Sequence, residues 1–187
     1  MEVLDRAASV LALEGAAALT MRRVAQEVGA STQVLYTLFT SKEGLLDALV
    51  EEGFRRFGEA LGRVHETDPW AHLRALGLAY RRFALDNPDY YRLLWSGAVG
   101  AEPERRPPGG EIAWQALLTA VTRVLAALDR PAREVEPMAT AIWSASHGFC
   151  SLELAGFPGG DVAHEELMDL CAAGLMGAPA IRRARGA

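Results

Sequence analysis

Apolar residues recur at three- and four-residue spacings along almost the whole chain, as in Leu4, Ala7, Ala8 and Leu11, or in Leu73, Leu76, Ala79, Tyr80 and Phe83. That period is helical: residues three and four apart share one face of an α-helix, whereas a strand alternates every second residue. Few segments alternate, so the predicted fold class is all-α. Breaks in the pattern set the helix ends. Gly15 closes the first helix, Gly29-Ala30-Ser31 interrupts residues 20–39, and Asp68-Pro69, Asn87-Pro88 and Arg130-Pro131 each place proline where a helix can begin. Pro107-Pro108-Gly109-Gly110 and Phe157-Pro158-Gly159-Gly160 read as loops. The spacing predicts roughly nine helices, over 2–15, 21–28, 32–38, 42–63, 69–86, 88–97, 110–128, 132–155 and 162–176.

With 50% hydrophobic residues in 187, the chain has ample material for a buried core. No run of about 18 apolar residues escapes charge or glycine, so none is expected to span a bilayer. The start, Met1-Glu2-Val3-Leu4-Asp5-Arg6, lacks a basic stretch and a cleavage site, so secretion is not expected. Two cysteines, Cys150 and Cys171, suggest neither a disulfide framework nor a zinc site. A reducing cytoplasm is the expected location. The net charge of −5 argues against a protein that coats nucleic acid nonspecifically. Sequence-specific DNA binding survives that test, because it needs only a local positive surface.

Residues 19–42 read LTMRRVAQEVGASTQVLYTLFTSK. Thr20 can cap a helix whose inward face is Val24, Ala25 and Val28. Gly29 sits where a tight turn favours positive φ. Ser31 caps the next helix, to which Val34, Leu35 and Leu38 give an apolar side. The pattern specifies a helix-turn-helix whose second helix offers Thr32, Gln33, Tyr36 and Thr37 outward. Threonine and glutamine can hydrogen-bond base edges, and tyrosine can reach a phosphate. Ser41-Lys42 starts another helix, with a cation beside its N-terminus. A tight hairpin inside an ordinary bundle would share this spacing. Arg22, Arg23 and Lys42 against Glu27, positive within an acidic chain, favour DNA.

The run Leu19-Thr20, Val24-Ala25, Val28-Gly29-Ala30-Ser31, Leu35-Tyr36, Phe39, Ser41-Lys42-Glu43, Leu45-Leu46 resembles the DNA-binding signature of the tetracycline-repressor (TetR) family. It covers about the first quarter of the chain. The resemblance implies that the helix beginning near Thr32 enters the major groove of double-stranded DNA. Thr32 and Gln33 would then read bases or adjacent backbone, and Tyr36 and Lys42 would contact phosphate. Thr20 matches a cap that also touches the backbone; Arg22 and Thr37 complete the candidate surface. Leu38 departs from the family pattern, where the position is often polar or aromatic. The chain also begins almost at its first helix, without the basic arm many relatives carry.

The expected domains are a helix-turn-helix domain, 1–48, and a ligand-binding and dimerisation domain, 49–187. The second holds all four tryptophans, Trp70, Trp95, Trp114 and Trp143. An apolar pocket between bundle helices is the usual way such a domain takes a small molecule. Tyr91, Trp95, Trp114, Trp143, His147 and Cys150 are its candidate lining, for a mainly apolar effector; aromatic filling of a core is the plainer alternative. No cofactor or metal is expected. Residues 137–154 are apolar or small almost all round, so this helix should be buried on all sides, partly by a second subunit. Ile142, Ser146 and Phe149, with Leu167, Leu170 and Leu175 of the last helix, are the candidate homodimer interface. Trp143 with His147-Gly148 resembles a subset of TetR-type C-terminal domains. His65, His72 and His164 lie near helix ends and are expected to be solvated.

Together these features predict a dimeric regulator of transcription, by resemblance a repressor released from its operator by a small molecule, and not an enzyme. One alternative is a small helical hydrolase or metalloprotein using His147, Cys150 and Glu153. It lacks a Gly-rich phosphate loop, a nucleophile elbow and an HExxH pattern. Another is a helical interaction module with a vestigial DNA-binding hairpin, which the acidic charge favours and the Tyr36 and Lys42 pattern disfavours.

Overall fold

A computed structural model describes residues 2–95 and 108–157, with 166, 169, 170, 173 and 174. Its helices are α1 (Glu2–Glu14), α2 (Met21–Glu27), α3 (Thr32–Phe39), α4 (Lys42–Gly62), α5 (Pro69–Asp86), α6 (Pro88–Trp95), α7 (Pro108–Ala127) and α8 (Val135–Leu154). No strand occurs among the described residues, and the all-α reading holds. Most of the predicted helix 162–176 lies outside them. No helix of the described residues is long and apolar enough to cross a membrane.

Two helix starts differ from the sequence reading by more than one residue. Residues 132–134 form a 3-10 turn, so α8 begins at Val135 rather than 132. Pro108, Gly109 and Gly110, read as loop, open α7 instead. Proline fits the first helical position, because its fixed φ and missing N–H cost nothing there. Glycine is required next for space: a Cβ on Gly109 would lie 1.9 Å from the Phe54 carbonyl oxygen.

The chain divides into two compact units, 1–59 with 86–111, and 60–85 with 112–187. The expected boundary at 48/49 falls within α4, and packing groups α6 with the N-terminal helices. In the first unit, Ala7, Ala8, Val10 and Leu11 of α1 are buried with Leu19, Val24, Ala25, Leu35, Leu45 and Leu49. A polar cluster joins α1, α4 and α6. Arg56 pairs with Asp5 at 2.6 Å and Glu52 at 2.7 Å, and its guanidinium lies 4.6 Å from the centre of the Tyr90 ring. Tyr90 donates to Asp5 (3.1 Å), and Ser9 to Asp89 (2.8 Å). Glu52, hydrogen-bonded to Arg55 and Arg56, is held down to about 2.

In the second unit, the buried stripe of α5 is Leu73, Leu76, Tyr80, Phe83 and Ala84. That of α7 includes Ala113, Ala120, Val121, Val124 and Leu125. The stripe of α8 is Met138, Ala139, Ile142, Ser146 and Cys150. His72 is buried rather than solvated, a correction to the sequence reading. Arg123 explains it: its Nη1 lies 2.7 Å from His72 Nδ1 and donates to the Glu66 carbonyl at 2.9 Å. Burial and that neighbouring cation both push His72 below its ordinary value.

Candidate functional site

Local chemistry shapes the α2–turn–α3 segment at each joint. Thr20, extended at φ −124° and ψ 153°, accepts from the Arg23 N–H at 3.1 Å and starts α2. At the other end Gly29 adopts φ 64°. Its N–H donates to the Gln26 carbonyl, and the Ala30 N–H reaches back to Ala25 at 2.9 Å. This is a Schellman closure. A Cβ on Gly29 would meet nothing within 4 Å, so the demand on that residue is its φ alone. Ser31 then caps α3 by accepting from the Val34 N–H at 3.3 Å. Ser41 does the same for α4, accepting from Gly44 at 3.1 Å. A Cβ on Gly44 would stand 2.1 Å from the Phe39 carbonyl oxygen, so glycine permits the close approach of α4 to the end of α3.

This frame presents Gln33, Tyr36 and Thr37 on the exposed side of α3, with Thr32 half-buried. Thr37 donates its hydroxyl proton to the Gln33 carbonyl (2.9 Å). Val34 and Leu38, expected to face inward, are 48% and 58% exposed; Leu35 alone is fully buried. An eight-residue helix docked along one edge has room for one inward row, and Leu35 with half-buried Phe39 fills it.

The positive strip is narrower than the sequence suggests. Arg23 is ion-paired with Glu14 at 2.7 Å and also with Glu27. Lys42 donates one Nζ–H to the Ala16 carbonyl at 2.9 Å. An ammonium carries three donors, which leaves capacity for an anion. Arg22 and Thr20 are exposed.

The six candidate ligand residues are divided between the two units. Tyr91, buried, and Trp95, half-buried, belong to the first. There Trp95 meets Phe54, Phe57 and Tyr91 edge-on, at centroid distances of 6.1, 6.0 and 6.4 Å. In the second unit Trp114 and Trp143 approach to 6.0 Å. His147 is half-buried, its Nδ1 3.3 Å from the Tyr80 hydroxyl and its Nε2 3.5 Å from the Ser151 hydroxyl. Tyr80, far away in sequence, gave no signal of this contact. Burial pushes His147 below its ordinary value. Cys150 is fully buried, and burial first, then Glu153, pushes its thiol up to about 12. At neutral pH it is therefore no thiolate, and Glu153 is ion-paired with Arg81. Neither environment favours the hydrolase alternative. A separate groove of about 520 Å³ is lined by Trp70, Ala71, Arg74, Ala75, Leu78 and Asp169, none of them a candidate ligand residue.

The candidate interface residues separate as well. Ile142 and Ser146 are each only 4% exposed within their own protomer, and Ser146 donates to the Ile142 carbonyl at 2.9 Å. Little of either side chain is therefore left to meet a partner. Phe149 is half-buried and Leu170 is 62% exposed. Leu167 and Leu175 lie outside the described residues. The opposite side of α8 carries Ala141, Ser144, Ala145, Gly148 and Leu152, half-buried or exposed.

Comparison with known proteins adds three findings. Residues 3–49 match the family described as bacterial regulatory proteins, tetR family, and residues 73–175 match the tetracyclin repressor-like, C-terminal domain. The nucleoid occlusion factor SlmA of Marinomonas sp. (strain MWYL1) is 29% identical over 147 residues, covering 74% of each chain. Among solved structures, a protein of unknown function from Rhodococcus sp. RHA1 is 28% identical with a TM-score of 0.76, covering 94% of this chain and 92% of the other. BioQ, solved with its double-stranded DNA operator, shares the fold at 22% identity and a TM-score of 0.61, covering 94% and 96%.

Proposed function

Because the chain belongs to the TetR family of bacterial regulators, we propose that it represses transcription as a cytoplasmic homodimer that a small, mainly apolar molecule releases from a roughly palindromic operator. The observation that carries this reading is the doubly capped α2–turn–α3 frame, which holds Gln33, Tyr36 and Thr37 outward on one short helix. Gln33 supplies the amide that suits an adenine edge. Tyr36, Arg22, Thr20 and Lys42 are the phosphate side, and Thr32 lies at its margin. Two subunits would set their α3 helices in successive major grooves.

The dimer seam is assigned to the small-residue face of α8, with Phe149 and Leu170. A Cβ on Gly148 would meet nothing within 4 Å, so this face leaves room for a second helix to approach closely. For the effector, the Trp114–Trp143 pair and His147 offer aromatic surface and one polar group in the second unit. Tyr91 and Trp95 remain candidates on the same chemistry. Ligand and operator oppose each other reciprocally, since their coupling is one free energy. A second reading, binding at many chromosomal sites rather than at one operator, has in its favour the relative from Marinomonas, by name a nucleoid occlusion factor.

Fluorescence anisotropy with duplexes from the region upstream of the gene tests the main reading. One duplex should bind at least about a thousandfold more tightly than random DNA. Lys42→Ala should weaken all sequences alike and lower the salt slope by about one unit, the share of a single phosphate. Equal affinity for every duplex would contradict it. Chromosome-wide immunoprecipitation separates the readings, with one or a few sites expected for an operator.

A further inference from the structure

Two branched apolar side chains stand in solvent on the helix that carries the DNA-reading groups. Val34 is 48% and Leu38 58% exposed. They lie one turn apart, so they form a continuous edge along α3 beside Gln33 and Thr37. Neither is needed by the fold, because Leu35 fills the inward row. Water is a poor place for both, and valine is also a weaker helix former than the polar residues common at exposed helix positions. The hydrogen-bonding capacity around them is thin. Thr37 has committed its proton to the Gln33 carbonyl, which leaves Gln33 as the side chain with both donor and acceptor on this strip.

The chemistry that fits an apolar edge in a major groove is specific. Of the groups the four base pairs present there, one is apolar, the C5-methyl of thymine. Four helical residues rise about 6 Å, close to two base-pair steps of about 3.4 Å. We propose that Val34 and Leu38 are specificity-determining residues that read the 5-methyl groups of thymines at two nearby positions of each half-site, close to the base read by Gln33. The proposal rests on the reading of α3 as the helix in the groove.

Deoxyuridine in place of thymine tests it, since the exchange deletes the methyl and leaves pairing and the O4 acceptor intact. A duplex selected by the wild-type protein from random DNA is resynthesised with each thymine of one half-site replaced in turn, and dissociation constants are measured by anisotropy. Wild type should lose about three- to tenfold at two of these positions, the scale of one buried methyl group or a little more. Leu38→Ala should be insensitive to the replacement at one of them and Val34→Ala at the other, while Gln33→Ala keeps both sensitivities. Both alanine variants should retain the wild-type melting temperature, because the two residues are exposed. Selective binding that is indifferent to every uracil, a selected site without thymine, or alanine variants as uracil-sensitive as wild type would overturn the assignment. A wild type that selects no sequence at all would overturn the groove-reading proposal, and this one with it.

Discussion

Helices α3 and α8 both carry exposed or half-buried apolar or small residues, yet they are held in place by different means. α3 has eight residues and buries one of them completely, Leu35. Its position comes from its ends: the Ser31 cap, the Gly29 turn before it and the close α4 approach at Gly44. α8 has 20 residues and buries five, Met138, Ala139, Ile142, Ser146 and Cys150. No side chain caps its start, and its position comes from that buried stripe. A short helix fixed at its ends can spend nearly all its side chains on a partner. A long helix fixed along its length can spend only the opposite face.

This contrast breaks first at the core. Leu35→Ala and Ile142→Ala should each cost about 2–5 kcal/mol in urea unfolding, since both delete a buried branched side chain. Leu35→Ala should also abolish selective DNA binding, whereas Ile142→Ala should leave a dimer wherever the protein remains folded. If Ile142→Ala gives folded monomers by sedimentation, the buried stripe of α8 reaches the partner after all. Next in size is the opposite face. Leu152→Glu, at a residue 53% exposed in the protomer, should weaken dimerisation by about tenfold or more, because an unpaired carboxylate is costly at a seam. Its melting temperature at a concentration where wild type is also monomeric should barely move.

The helix-turn-helix was legible in the sequence because its determinants are local. Thr20, Gly29 and Ser31 act through backbone groups no more than three residues away, so type and spacing suffice to read them. The row that α3 turns inward was not legible: Val34, Leu35 and Leu38 fit one apolar side by spacing, and only tertiary packing selects Leu35. Charge failed for a similar reason, since Arg23 meets Glu14 from a different helix. In α8 an apolar surface all round gave no phase, and only packing puts Ile142 and Ser146 in the buried stripe. His72 looked solvated because Arg123, 51 positions on, carries no local signal.

Smaller effects sharpen the same contrast. Thr20→Ala and Ser31→Ala should each cost about 1 kcal/mol, a fall of roughly 2–4 °C for a chain of this size, and should reduce DNA affinity by a similar free energy. Unchanged affinity would mean that the caps do not position α3. The smallest effect is that of pH on the second unit. His72 and His147 are both held below their ordinary 6.5, by burial first and then Arg123 for His72 and by burial for His147. The unfolded chain therefore binds protons more readily, and the stability these residues contribute is complete above about pH 6.5. It should be lost as pH falls from there toward their lower folded values. His72→Gln, which keeps an acceptor for Arg123 but cannot titrate, should flatten the decline in melting temperature between pH 7.5 and 5.5. An identical profile for wild type and variant would exclude His72 as its source.

Selection of duplexes from a fully random library, run in parallel with wild type and Gln33→Ala, shows whether α3 reads DNA. Wild type should enrich a motif of two inverted half-sites, as a dimer with one α3 per major groove requires. Gln33→Ala should return the same motif with the preference at one position of each half-site relaxed, by about 1–3 kcal/mol. No enrichment by wild type, or identical motifs from both proteins, would contradict the account of α3 as the helix that reads DNA.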